Sequence, residues 1–148
     1  MTIPQYLRLD HLVPTPLTRE EVRPFVWLSM EQYRPTVITE YSGAVRELED
    51  LVETSLQDHH IVLINGEYIF GYYLGAEWFA TQETLMEEYL MRISPGSTSL
   101  SEVFDVIRLL VRLHGAREAQ LGPRESPALK RLYARHGAQE TVTTMRIA

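Results

Sequence analysis

The 148 residues suffice for one domain with a single substantial core and are too few for two of ordinary size. A formal net charge of −6 excludes the concentrated positive surface that general nucleic-acid or anionic-membrane binding requires. The absence of cysteine excludes disulfides and thiolate chemistry and removes the softest metal ligand, so no metal is expected.

The opening, "MTIPQYLRLDHL", lacks the basic-then-apolar order of a signal peptide, and no apolar run approaches the roughly 20 residues of a membrane span, so a soluble, cytoplasmic protein is expected. Residues 5–13 alternate as a first strand, which "PTPLT" stops. Thr18 then caps a helix with acids in its first turn, and Pro24 predicts that this helix either kinks or begins there. "RPTVITEYSG" reads as a connection. After it, Val45, Leu48, Leu51, Val52 and Leu56 fall on one stripe at helical spacing. In "HHIVLINGEYIFGYYLG" two β-rich runs flank Asn65-Gly66, the pair preferred in a two-residue type I′ hairpin turn. "TLMEEYLMRIS" is a further strand.

The turn "PGSTS" feeds an amphipathic helix from Leu100 to His114, with Gly115 placed to end it. Ser99 is its expected N-cap, with Glu102 completing a capping box. "REAQLGP" is a short strand. "SPALKRLYARHG" is a helix with Ser126 as N-cap, Pro127 at its first position and Gly137 as its stop, and "TVTTMRIA" is a closing strand. The predicted class is α/β of the mixed α+β kind. His59 and His60 open a buried strand facing opposite sides, a structural role, and His114 and His136 sit at helix C-termini, where a partial positive charge suits the dipole. The aromatics Tyr68, Phe70, Tyr72, Tyr73, Trp78 and Phe79 read as sheet core and rim, with a substrate or partner groove as a second use.

This order, with Leu132-Tyr133 and Gly137 in the last helix, resembles the GNAT acyltransferase superfamily. "GYYLGAEWF", with a Trp-Phe pair ahead of the fourth strand, and "EEYLMRISP" look most like the GNAT-type proteins of tailed bacteriophages, which would place the chain in a host cytoplasm. The resemblance implies a central mixed twisted sheet of about six strands flanked by about four helices. It implies transfer of an acetyl or other short acyl group from acetyl-coenzyme A, as co-substrate, to an amine-bearing small molecule or protein.

Three sites follow from it. Tyr133 would be the general acid to the leaving thiolate, and Glu88 the general base or water-positioning residue; adjacent strand residues point oppositely, so only one of Glu87 and Glu88 should reach the reaction centre. Met91 and Ile93 on the strand, and Gly96, Ser97, Thr98, Ser99 and Ser101 in the turn, would hold the cofactor. The family's Gln/Arg-x-x-Gly-x-Gly/Ala signature is absent there, with Thr98, Ser101 and Val103 in its key places. A second reading therefore stands beside the enzyme: a non-catalytic binding or virion-associated module of the same fold. Exposed aromatics on the hairpin, or the final strand edge, would allow a homodimer.

Overall fold

The computed structural model describes residues 2–41, 43–122, 127–139 and 147. Its elements run β1 (Tyr6–Asp10), β2 (Val13–Pro16), α1 (Arg19–Glu40), α2 (Leu48–Asp58), β3 (His60–Ile64), β4 (Tyr68–Gly75), β5 (Thr84–Arg92), α3 (Leu100–His114), β6 (Ala119–Gln120) and α4 (Pro127–Arg135). The expected N-cap Ser126 and the expected closing strand lie outside the described residues. The six-stranded sheet has the order β2-β1-β3-β4-β5-β6; β1 pairs parallel with β3 and β5 with β6, the other neighbours being antiparallel.

Two expectations at the N-terminus are corrected. Val13–Pro16 does not merely end β1; it folds back against it, Leu7 opposite Pro16 and Asp10 opposite Val13. Prolines are tolerated because β2 is an edge strand, where missing N–H donors cost no ladder bond. Likewise α1 neither starts at Pro24 nor stops before Pro35. Thr18 and Glu21 form a full capping box, which starts the helix at Arg19, and it continues to Glu40. The carbonyls that Pro24 and Pro35 leave without an i+4 donor belong to Glu20 and Glu31, both exposed, so water can satisfy them. The stretch read as a connection is thus largely helix, whereas Val45, expected on the second helix, precedes α2.

Strand alternation splits the core into two layers. Val62, Ile64, Phe70, Tyr72 and Leu85 face α3, whose Val103, Phe104, Val106, Ile107 and Leu110 pack with Tyr133 of α4. Ile61, Leu63, Ile69 and Tyr89 face Val22, Val26 and Met30 of α1 and Val52 and Leu56 of α2. Each such fully buried large side chain contributes about 1.5–3 kcal/mol. The β3–β4 hairpin turns through Asn65 and Gly66 at φ 52° and 66°, the type I′ geometry expected from the pair. Gly115 at φ 64° and Gly137 at φ 92° end α3 and α4 as their positions suggest.

The histidines at the strand start divide as expected. His59 reaches Ser55 Oγ at 3.0 Å, and His60 stacks on Tyr72 at 5.1 Å on the other face. His114 departs from the expected dipole partner. It points inward, with Nε2 2.7 Å from the Tyr72 hydroxyl and its ring 4.9 Å from His60. Burial, and then the charge of His60, lower its pKa to about 4, so the folded protein holds it neutral. In the unfolded chain a histidine takes up a proton near pH 6.5. The unfolded state therefore binds more protons between about pH 6.5 and 4, and stability falls as pH drops through that window. Chemical denaturation across it should give a shallower decline for His114→Gln than for the native protein; equal slopes would contradict the assignment.

Candidate active site

The site begins with one extra residue in a strand. Along β4 and β5, Gly71 opposes Tyr89 and Tyr72 opposes Glu87, so Glu88 has no register partner and forms a β-bulge. Leu85, before the bulge, packs toward α3, whereas Tyr89, four residues on, packs toward α1 and α2. Strict alternation would have put both on one face. Glu87 and Glu88 both line the same cleft, Glu87 held to Gly122 and Glu88 in the bulge.

That cleft, of about 490 Å³, opens where β5 and β6 part. Among the described residues their parallel pairing covers Leu85 with Ala119 and Met86 with Gln120, while β5 continues to Arg92. Its other walls are Gln32, Tyr33 and Thr36 of α1, together with Gly122 and Tyr133. Glu87 Oε2 accepts the Gly122 N–H at 2.8 Å, tying the chain after β6 to β5 across the cleft. Gln32 and Tyr33 precede the stretch read as a connection, whereas Thr36 lies within it, past Pro35, and was missed from sequence as part of a helix wall. Of the expected site residues, Tyr133, Glu88 and Met91 share the cleft. Ile93 packs instead against the α1–α2 core, its N–H donating to the Glu67 carbonyl at 2.8 Å.

Tyr133 belongs both to the core and to the edge of the cleft. It is a core residue, 7% exposed, with its ring edge-on to Phe104 at 5.2 Å, and it also borders the cleft. Burial, then the charge of Glu87, push its phenol above the ordinary tyrosine range, so it carries its proton at neutral pH. Glu88 is an exposed residue on the cleft lining, and partial loss of hydration there raises its carboxyl above the usual range. Tyr89 beneath it bonds Ser55 Oγ through its hydroxyl at 2.8 Å.

The turn before α3 lies outside the cleft lining. Ser99 is the N-cap, accepting the Glu102 N–H at 3.2 Å, but the Glu102 carboxylate does not complete a capping box; it takes the Asn65 amide at 3.3 Å. Thr98 is 5% exposed, and both its N–H, at 3.0 Å, and its hydroxyl donate to the carboxylate of Glu67. A Cβ on Gly96 would collide with that carboxylate. Those hydrogen bonds hold the Glu67 carboxyl below its usual range, and hence ionised. The coenzyme A diphosphate that the resemblance places here does not fit the turn in this arrangement, because the Thr98 donors are engaged and the incoming charge would meet a fixed carboxylate. Gly96, Ser97, Ser99 and Ser101 are exposed around it. Trp78 and Phe79, 94% and 71% exposed, border the β4–β5 connection rather than the cleft. Among the described residues no group of three histidines or acids could hold a metal ion, and no helix is long and apolar enough to cross a membrane.

No protein-family model matches the sequence, and no curated protein matches it. Solved structures do match the fold. A protein of Arthrobacter sp. FB24 assigned as an acetyltransferase superposes with a TM-score of 0.59 at 13% identity, covering 92% of this chain and 96% of that one. A ribosomal-protein-alanine N-acetyltransferase from Brucella melitensis biovar Abortus 2308 gives 0.54 at 15% identity, covering 82% and 94%. An aminoglycoside acetyltransferase from an uncultured soil metagenomic sample gives 0.54 at 12% identity, covering 89% and 94%. The mixed six-stranded sheet with its four helices is the GNAT acetyltransferase fold.

Gly71 is the backbone partner that lets Tyr89 lie flat beneath the bulge, since a Cβ there would strike the Tyr89 ring. Gly71→Ala should cost about 1–3 kcal/mol, as overpacked cores do, read as a lowered urea midpoint. A midpoint within error of the native one would mean that the ring is not held there.

Proposed function

We propose that the chain is an N-acyltransferase of GNAT type that moves an acetyl or other short acyl group from a thioester to an amine. The observation that carries this reading is the meeting of a protonated phenol, Tyr133, with two strand carboxylates, Glu87 and Glu88, in one cleft where β5 leaves its neighbour. Direct attack needs an unprotonated amine and a leaving thiolate that receives a proton. Glu88 accepts the proton of the incoming ammonium, directly or through water, and its raised affinity for protons makes it a stronger base than an ordinary carboxylate. Tyr133 gives its proton to the thiolate, and its place against Phe104 holds the donor still.

Glu87 acts as a positioning residue. Its bond to Gly122 ties the chain after β6 to β5 across the cleft, and its charge adds to burial in raising the Tyr133 phenol. With two carboxylates on the wall, the acceptor is a cationic amine, on a small molecule or a protein. Acetyl-coenzyme A is the donor that the resemblance implies, with Met91 beside its acyl end. The same resemblance, through Trp78-Phe79, supports a phage-type relative acting in a host cytoplasm.

Steady-state kinetics with thioester donors and a panel of amines test the roles. Tyr133→Phe should keep the fold and donor affinity while lowering kcat by roughly 10²-fold or more, the usual contribution of a positioned acid. Unchanged turnover would remove Tyr133 from the chemistry. Activity should fall as pH drops through the raised pKa of Glu88, because the base must be ionised, and Glu88→Gln should abolish that acidic limb. Persistence of the limb in the variant would assign it to another group.

A further inference from the structure

The turn leading into α3 already holds an anion, and it is the protein's own. Glu67 directly follows the Asn65-Gly66 hairpin turn, and its side chain is only 13% exposed. Its carboxylate takes the Thr98 N–H at 3.0 Å and the Thr98 hydroxyl, and lies 3.9 Å from an Arg92 guanidinium nitrogen. Its carbonyl accepts the N–H groups of Ile93, at 2.8 Å, and Ser94, at 3.3 Å. Asn65 adds a further donor, its amide reaching Thr98 Oγ1 at 3.0 Å. Arg92 lies over the Tyr68 ring, 4.6 Å from its centre, and donates to the Tyr68 hydroxyl at 2.7 Å. A cation, a backbone N–H and a hydroxyl thus surround one largely covered carboxylate, with the Asn65 amide behind the hydroxyl, and that carboxylate has the oxygen geometry and charge of a small oxyanion. The missing Cβ at Gly96 is what gives that carboxylate room.

We infer that Glu67 is a specificity residue that closes this turn to phosphate groups, so that an acyl donor is selected by its thioester arm in the cleft rather than by a diphosphate at the start of α3. A phosphate approaching the turn meets an ionised carboxylate that already holds the Thr98 donors and offsets the Arg92 charge. Without the carboxylate, the Thr98 N–H and hydroxyl lose their acceptor and the Arg92 charge beside them is no longer offset by Glu67, the Glu102 carboxylate staying on the Asn65 amide. The identity of the donor rests on the acyltransferase reading; the closure of the turn to phosphate does not.

The test separates the two. Inorganic pyrophosphate is titrated into native protein, Glu67→Gln and Glu67→Ala, while the amide resonances of residues 96–101 are followed by NMR and melting temperatures are recorded. Glu67→Gln keeps the size of the side chain and is the variant expected to hold the native fold. Native protein should show no saturable shift at millimolar pyrophosphate, whereas both variants should bind it at least about tenfold more tightly, through Thr98. Coenzyme A affinity should rise with it, and the affinity of acetyl-pantetheine, which carries the thioester arm without phosphate, should stay the same. Native protein binding pyrophosphate at this turn as well as Glu67→Gln does would overturn the inference, as would a folded Glu67→Gln that gains no binding. Pyrophosphate results as expected, with no thioester bound by any of the three proteins, would uphold the closed turn and reject the acyltransferase reading.

Discussion

One unpaired residue in a central strand organises this molecule. Because Glu88 has no partner across β4, everything after it on β5 changes face: Tyr89 turns toward α1 and α2, and Leu90 returns to the layer that Leu85 occupies. A regular strand would bury one glutamate side and expose the other. The bulge brings Glu87 and Glu88 to one opening, and it does so where β6 leaves the ladder. Gly71 is the counterpart of this irregularity, since the Tyr89 ring fills the space that a side chain there would need.

The electrostatics of the cleft follow from that placement. Tyr133 is pushed toward its protonated form by burial and by Glu87, and Glu88 is pushed the same way by lost hydration. The same direction of shift serves opposite ends: it keeps a phenol able to donate, and it brings a carboxylate toward the pH at which it can accept. The first shift combines burial with the Glu87 charge, and the second comes from burial alone. Packing of the α4 ring against Phe104 of α3 holds the phenol, and the pairing of β4 with β5 on either side of the bulge holds the carboxylate.

The turn before α3 solves a different problem. Where a glycine-rich loop would leave its amides for a ligand, this one is tied down from the β3–β4 hairpin by Glu67 and Asn65. The clasp joins segments distant in sequence, and it spends on the fold the donors that could otherwise meet a phosphate. Serine and threonine in the turn are compatible with this because their hydroxyls supply bonds within the chain, as Thr98 does to Glu67 and Ser99 to the amide of Glu102.

Much was legible in the residues alone, and the legible part is local. Asn65-Gly66 specifies a turn because both residues must take positive φ; Gly115 ends α3 for the same reason; the spacing of Val103, Phe104, Ile107 and Leu110 marks a face that has to be buried. Tyr133 and Glu88 were reachable through resemblance, and each stands on the cleft. The last turns of α1, with Thr36 on the cleft, were not legible, because a proline's local signal says break, while the exposure of Glu31, whose carbonyl loses its donor, makes the break unnecessary. Nor was the bulge, since a strand's register depends on its neighbour's residues. Nor was Glu67, whose partner lies 31 positions away. Backbone preference and periodicity act over a few residues, so the sequence by itself determined turns, caps and buried faces; the meeting of charged groups from separate segments was decided only by the tertiary structure, because their energy depends on distances that only the assembled sheet defines.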